Sequence, residues 1–277
     1  MTVPPMARAI HISDVHAGRQ DDRIVEELLL DIAQLEPELV LAGGDFTQRS
    51  RGSQWKTAAA WLERIQAPLL AVPGNHDIPL FDFGRRLLDP FGRYRSNIST
   101  DLEPEVVTAG IRAIGVRTAD PKRRAEGRVS EQSLERMAAR ANERADAEWT
   151  LLLSHHPLAA HRDVLPGTPA EGWEDALSIA ASTRVDLLLS GHTHRRRSGP
   201  FTRTVGGRSM VVAHTGTACS TRQRGDEPQS WQIIDLSGDQ MDLTPRLWDS
   251  ESHSFVNGDC ARFNRSSAGW QQVSAGA

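Results

Sequence analysis

Short apolar runs alternate along this chain with segments whose apolar residues recur at helical spacing. Residues 8–13 form a mostly apolar run, and behind it Ile24, Val25, Leu28, Leu29, Ile32 and Leu35 share one helical face, with Asp21 and Asp22 placed to cap the start. Leu39–Ala42 reads as a second strand. Within residues 53–65, Trp55, Ala58, Ala59, Leu62 and Ile65 share a helical face, so a second unit repeats the first. Residues 69–72 predict a third strand, residues 106–108 and Ile111–Val116 a hairpin about Ala109-Gly110, and residues 130–144 a polar helix. Two further buried strands, 149–153 and 185–189, bracket a helix over 173–181. The pattern then changes. Residues 200–205, 210–213, 231–236 and 241–247 read as successive antiparallel strands, with turns at Gly206-Gly207 and Ser237-Gly238.

Alternating strands and helices imply parallel strands with right-handed crossovers, and the late strands add antiparallel pairing. The expected fold is therefore α/β: a four-layer α/β/β/α sandwich of two mixed sheets, one domain over residues 1–265. Residues 266–277, rich in Ser, Ala and Gly, read as a mobile tail, with Trp270 able to dock on the body. The apolar runs are far too short to span a membrane. A net charge of −4 gives no overall attraction to a polyanion, which argues against nucleic acid as a partner without excluding a local basic patch. No apolar segment follows the basic start, so the expected location is the cytoplasm. Cys219 and Cys260 read as free thiols, since two cysteines make no disulfide framework.

The candidate chemistry lies where five of these strands end. They run into Asp14-Val15-His16, Gly44-Asp45, Gly74-Asn75-His76-Asp77, Ser154-His155-His156-Pro157 and Gly191-His192-Thr193-His194. At this composition an Asp-x-His string arises by chance about 0.7 times, a Gly-His-x-His string about 0.03 times and Gly-Asn-His-Asp about 0.001 times. Only the last two carry statistical weight, and the others gain meaning from their company. Ligands of open α/β sheets gather at the carboxyl ends of parallel strands, so the five strings can converge on one place. Asp14, His16, Asp45, Asn75, His155, His192 and His194 then offer carboxylate, amide and imidazole donors, a mixture that suits Mn²⁺, Fe²⁺ or Zn²⁺ better than Ca²⁺. Seven ligands exceed the needs of one ion, and two ions sharing a carboxylate could clamp a phosphoryl group.

In their kind, order and spacing these strings resemble the calcineurin-like metallophosphoesterase superfamily over about residues 8–236. Within it, size and histidine pattern are most similar to bacterial class III cyclic-nucleotide phosphodiesterases and related small phosphodiesterases. The resemblance implies that Asp14, His16 and His194 bind one divalent ion, that Asn75, His155 and His192 bind the other, and that Asp45 bridges them. It further implies that His76 stays free of metal and assists the leaving group, that Asp77 orients His76, and that a hydroxide held between the ions attacks in line. His155 and His156 compete for one position. The family's histidine commonly stands two residues before a proline, which favours His155. Where the tyrosine-ligated purple acid phosphatases carry a Tyr three positions after the bridging Asp, this chain has Gln48, which argues against a ferric-tyrosinate centre.

Substrate contacts are less sharply marked. Arg195, with Arg196 and Arg197 beside it, could steer an anion, although a charge run is usually a solvated face. The segment 79–97 carries Phe81, Phe83, Phe91 and the single tyrosine, Tyr94, and reads either as a pocket wall or as core. His214 is a further pocket candidate, whereas His11, His161 and His253 have no motif around them. The expected activity is hydrolysis of a small phosphodiester, a cyclic nucleotide or a similar compound. Alternatives are a nuclease acting on single-stranded DNA, a phosphomonoesterase, or a non-catalytic scaffold.

Overall fold

The structure is a computed structural model that describes residues 6–142, 147–159, 169–202, 209–267 and 269–273. Strand β1 (Ala7–Ile12) alternates its faces: Ala7 and Ala9 join one apolar cluster, while Ile10 and Ile12 join another with the following helix. That helix, α1 (Asp22–Leu35), is capped by the Asp21 carboxylate, which accepts from the Arg23 amide at 2.9 Å. It ends at Glu36, whose backbone is left-handed, directly before Pro37. β2 (Leu39–Ala42), α2 (Gly52–Leu62) and β3 (Leu69–Ala71) repeat the unit, with β1, β2 and β3 parallel. α2 is shorter than its periodicity predicts, and Ile65 packs beyond its end.

A 3₁₀ turn, Asn75–Asp77, leads into two short helices, α3 (Phe83–Leu88) and α4 (Gly92–Asn97), which the apolar pattern does not delimit. β4 (Glu105–Thr108) and β5 (Ile111–Val116) form the expected hairpin. Then follow α5 (Glu131–Asn142), β6 (Trp149–Ser154), α6 (Trp173–Ser182), β7 (Leu187–Ser190), β8 (Arg197–Thr202) and β9 (Ser209–His214). The chain closes with β10 (Ser230–Ser237), β11 (Gln240–Asp249), β12 (Ser254–Asn257), β13 (Ala261–Ser266) and β14 (Gly269–Val273). One sheet runs β14-β13-β11-β10-β1-β2-β3, with β12 also on β11, and the other β4-β5-β6-β7-β9-β8. Both are mixed: β5, β6, β7 and β9 run parallel, with β4 and β8 antiparallel at the edges.

Leu39, Leu41 and Leu70 from one sheet share a buried cluster with Leu151, Leu153, Leu187 and Val211 from the other. α1 and α2 cover the outer face of the first sheet, and α5 and α6 that of the second. These are the four layers expected from the pattern. Among the described residues no helix is long and apolar enough to cross a membrane.

The tail departs from expectation. Gly269–Val273 is not a mobile segment but pairs with β13, and Trp270 is buried with its ring 5.7 Å from that of Trp149. Arg265 lies over both rings, so aromatic burial and cation–π contact offset the ordering entropy that a Ser- and Gly-rich composition would otherwise win. Gly206-Gly207 and His161 lie outside the described residues.

Candidate metal centre

The carboxyl ends of β1, β2 and β3 stay paired beyond the sheet. The Asp14 amide donates to the Gly44 carbonyl at 3.0 Å and the His16 amide to the Asp45 carbonyl at 2.9 Å, so these loops arrive side by side. From the second sheet, the loops after β6 and β7 meet them, with the Gly191 amide donating to the His155 carbonyl. Asp14, His16, Asp45, His192 and His194 all have positive φ, between 46° and 65°. A left-handed non-glycine residue costs about 1–2 kcal/mol, and five such residues mark a place where conformation is held by function and surroundings together. At Gly191 a side chain is excluded: a Cβ would lie 1.9 Å from Ser13 Oγ and 2.4 Å from Asp14 Oδ2.

The result is a buried cluster of donors. Asp14, His16 and His194 bring one ligand atom each within 4.8 Å of one another, as do Asp14, Asp45 and His155, and likewise His16, Asp45 and His76. Asp45 stands between two groups, with Oδ2 3.7 Å from His16 Nε2 and Oδ1 3.5 Å from His155 Nε2. A second oxygen beside His155 Nε2 is Asn75 Oδ1, at 3.2 Å. His192 lies beyond them, its ring 5.2 Å from His155 and its amide donating to Asp14 Oδ2 at 2.9 Å.

The tautomers follow from the partners, because a carbonyl only accepts. His155 Nδ1 donates to Gly43 O at 2.7 Å and His194 Nδ1 to Arg222 O at 2.6 Å, which turns each Nε2 inward. His155 Nε2 then faces two oxygens as a third acceptor, and His16 Nε2 faces His194 Nε2 at 3.2 Å. Asp14 Oδ1 is buried without a well-formed hydrogen bond, its near neighbour being His194 Nε2 at 3.1 Å. Converging lone pairs need a cation or a proton among them, so the residues fit divalent ions. Burial lowers the His194 pKa most, but Asp14 at 3.1 Å, the Arg222 carbonyl and Asp45 together raise it above the usual imidazole value.

Electrostatics keep the other donors available. Burial alone would raise the Asp14 pKa, yet His194, His155 and His16 hold it well below the usual carboxylate range. Burial pushes Asp45 up to about 6, opposed by His76 and assisted by Asp14. Burial lowers His16 well below the normal imidazole value and, with His155, takes His192 to about 3, so both rings keep their lone pairs. Nearby positive ions would lower Asp45 again, and their binding would release protons.

His156 is otherwise engaged. Its Nδ1 lies 2.9 Å from Thr118 Oγ1 and its Nε2 3.0 Å from the Ala125 carbonyl, leaving His155 as the ring with a free inward nitrogen. His76 sits edge-on to His16 at 4.9 Å, with Nδ1 donating to the Gln48 carbonyl at 2.7 Å. That carbonyl orients His76, which corrects the role expected of Asp77. The Asp77 carboxylate instead accepts from the amides of Gly74, Thr47 and Phe46 at 2.9–3.2 Å and ties the Asn75 turn to the Asp45 loop. Burial and Asp45 push it up to about 7, against those amides.

The substrate candidates fare differently. Tyr94 is core, not pocket wall: it is fully buried, packs on Phe46 and Trp55, and donates to the Ala71 carbonyl at 2.8 Å. Phe81 stands out from the surface, 70% exposed. Arg195 is exposed, while Arg196 and Arg197 both pair with Glu227. His214 is buried beside Ser190 and lines a separate cavity of about 160 Å³ with Arg196, Arg197 and Gln232. Burial takes its pKa to about 4. Two residues that the motifs do not mark do reach the centre: Arg222 Nη1 lies 3.0 Å from His76 Nε2, and Arg49 Nη1 lies 3.3 Å from His76 Nδ1. The position of Arg49, four residues after Asp45, is the only sequence signal for either.

Residues 7–196 match the calcineurin-like phosphoesterase family, and the chain belongs to it. A protein of Synechococcus sp. described as a probable cyclic nucleotide phosphodiesterase is 29% identical over 245 residues, which cover 84% of this chain and 82% of that one. Two solved structures share the fold. A purple acid phosphatase from yellow lupin seeds (Lupinus luteus) has a TM-score of 0.71 at 15% identity, over 95% of this chain and 55% of the lupin one. A dimetal phosphatase from Danio rerio has a TM-score of 0.62 at 16% identity, over 91% and 98%. The chain thus spans about half of the lupin enzyme.

Proposed function

We propose that this calcineurin-like phosphoesterase hydrolyses a small phosphodiester, a cyclic nucleotide or a similar compound, at two divalent ions drawn from Mn²⁺, Fe²⁺ and Zn²⁺. The observation that carries this reading is the placement of Asp45, whose two oxygens face two different donor groups, His16 on one side and His155 on the other. Asp14, His16 and His194 would hold one ion, Asn75, His155 and His192 the other, and Asp45 both. When bound, such ions polarise a phosphoryl oxygen and activate water. The likeness to a probable cyclic nucleotide phosphodiesterase supports a diester as substrate.

The chain's own residues supply the rest. His76, fixed through Nδ1 by the Gln48 carbonyl, presents Nε2 to the leaving oxygen and, with both ring nitrogens protonated, would deliver a proton there. Asp77 is a positioning residue that keeps the Asn75 turn against the Asp45 loop. The deciding assay reconstitutes the protein with Mn²⁺, Fe²⁺ or Zn²⁺ and offers cyclic nucleotides, bis(p-nitrophenyl) phosphate, p-nitrophenyl phosphate and single-stranded DNA. Turnover of the diesters with two bound equivalents of metal is expected. Bound metal with no diester turnover refutes the reading, and faster turnover of the monoester or of DNA reassigns it.

A further inference from the structure

His156, the second histidine of its string, stands outside both donor sets, yet it is buried against one of them. Its ring centroid lies 4.8 Å from that of His155 and 4.4 Å from that of His192. One atom each of the three rings lies within 4.8 Å of the others, but both nitrogens of His156 are already engaged. Nε2 faces the Ala125 carbonyl at 3.0 Å, and a carbonyl only accepts, so Nε2 carries the hydrogen. Nδ1 of the neutral ring then keeps a lone pair, which takes the Thr118 hydroxyl at 2.9 Å, while the oxygen of that hydroxyl accepts from the His156 amide at 3.0 Å. Every polar atom of the two side chains is thereby used.

These bonds hold one particular loop. Thr118 and Ala125 both belong to the segment between β5 and α5, whose ends meet where the Arg128 amide donates to the Thr118 carbonyl at 2.8 Å. Gly127 lies against the ring itself, since a Cβ there would stand 2.4 Å from His156 Cγ. Elsewhere the loop is tied by Arg86 to the Arg123 carbonyl and by ion pairs of Arg123 and Arg128 with Glu171, which solvent near the surface weakens. The Arg124 carbonyl, one residue before the carbonyl that His156 holds, accepts from Asn75 Nδ2 at 3.4 Å. An amide whose nitrogen donates to a carbonyl turns its oxygen the other way, and Asn75 Oδ1 faces His155 Nε2 at 3.2 Å. His156 therefore packs on His155 and His192 directly and reaches Asn75 through two consecutive carbonyls.

We propose that His156 is the positioning residue of the second donor set: it fixes the rotation of the Asn75 amide and the rings of His155 and His192, so that one oxygen and two nitrogens are aligned before an ion arrives. This rests on reading the centre as a two-ion phosphodiesterase. Asp77 holds the backbone of the Asn75 turn, and His156 sets its amide. Among the described residues none of the hydrogen bonds or ring contacts of His156 runs to Asp14, His16 or His194. Its loss is therefore felt on one side of the centre only. Removing an outer partner that orients metal-binding side chains typically costs about 10–100-fold in metal affinity.

The test titrates Mn²⁺ into the full chain by calorimetry and checks the bound metal by elemental analysis. The wild type should take two equivalents. His156→Phe keeps a ring against His155 and His192 but loses both ring hydrogen bonds; it should bind one equivalent as the wild type does and the other about 10–100-fold more weakly. His156→Gln, which can still donate to the Ala125 carbonyl, should recover most of that affinity. Thr118→Val leaves the histidine in place and should weaken the same equivalent by a smaller factor, which keeps the proposal open to refutation if His156→Phe does not fold. In metal-free, ¹⁵N-labelled protein the His156 ring should carry its hydrogen on Nε2, and a hydrogen on Nδ1 overturns the proposal. Unchanged binding of both equivalents, or equal weakening of the two, overturns it as well and leaves the two-ion reading in place. A wild type that takes fewer than two equivalents overturns that reading and the proposal with it, whereas one-sided weakening without diester turnover by the wild type overturns the phosphodiesterase reading alone.

Discussion

The two halves of the centre are made of different donors. Asp14, His16 and His194 are all buried, all have left-handed backbones, and include a carboxylate that the other half does not share. Asn75, His155 and His192 are an amide and two imidazoles, with Asn75 and His192 only half-buried and only His192 left-handed. Asp45 serves both. A divalent ion is drawn by charge as well as by lone pairs, and a strained, enclosed frame resists opening. On the proposed two-ion reading, the first half would keep its ion and the second would exchange one, although both come from the same kind of strand-end loop.

The heaviest blow to this pairing is Asp45→Ala, which removes the group common to both halves. Metal contributes several kcal/mol to transition-state stabilisation, so activity should fall by about 10³-fold or more, with bound metal dropping below two equivalents by elemental analysis. Retention of both ions would deny Asp45 its shared position. Next comes His76→Ala, expected to lower turnover by about 10²–10⁴-fold while leaving metal content unchanged. Should metal be lost instead, His76 is a ligand, an outcome its closeness to His16 and Asp45 makes worth measuring. Narrower still is Asn75→Ala. Dialysis against a mild chelator should strip one equivalent from this variant well before the other, whereas Asp14→Asn should weaken retention in the half that otherwise holds longest. Identical release from both variants would erase the asymmetry.

How far the molecule is legible from its residues follows the same division between local and long-range causes. Each of the seven donors stands directly after an apolar run, so strand and ligand are read together, and the parallel order of β1, β2 and β3 carries three of the strings to one edge. Tyr94 stays open between core and pocket wall in the sequence because its hydroxyl partner, the Ala71 carbonyl, belongs to a strand 23 residues earlier. Trp270 is expected to be able to dock, but what it docks on, Trp149 with Arg265, is not legible in a tail of small polar residues. Arg222 lies in the loop between β9 and β10, past any motif, and gains significance only where tertiary folding brings it to His76. The sequence pairs Asp77 with the ring next to it, whereas its carboxylate reaches the amides of another loop.

The floors beneath the two halves differ too, and this gives the smallest effect. Beside the second half, His156 has both ring nitrogens in hydrogen bonds. Beneath the first, three residues before Asp14, His11 is fully buried with neither nitrogen bonded. Burial, helped by His214 and opposed by Asp14, takes the His11 pKa to about 3. The unfolded chain regains an ordinary imidazole, which binds a proton near pH 6.5. Below that pH the unfolded state holds more protons than the native one, so the contribution of His11 to stability is complete above pH 6.5 and is lost progressively as pH falls toward 3. At pH 5 the loss is about 2 kcal/mol, from 1.5 pH units at about 1.36 kcal/mol each. His11→Leu removes that titration and two unbonded polar atoms at little change in volume. Its stability in urea should match or exceed the wild type by about 1 kcal/mol at pH 7.5 and fall by about 2 kcal/mol less on going to pH 5. Both proteins are compared metal-free, so titration of the ligand residues cancels between them. Parallel pH curves would mean that a buried partner satisfies His11 after all, and that the two floors are alike.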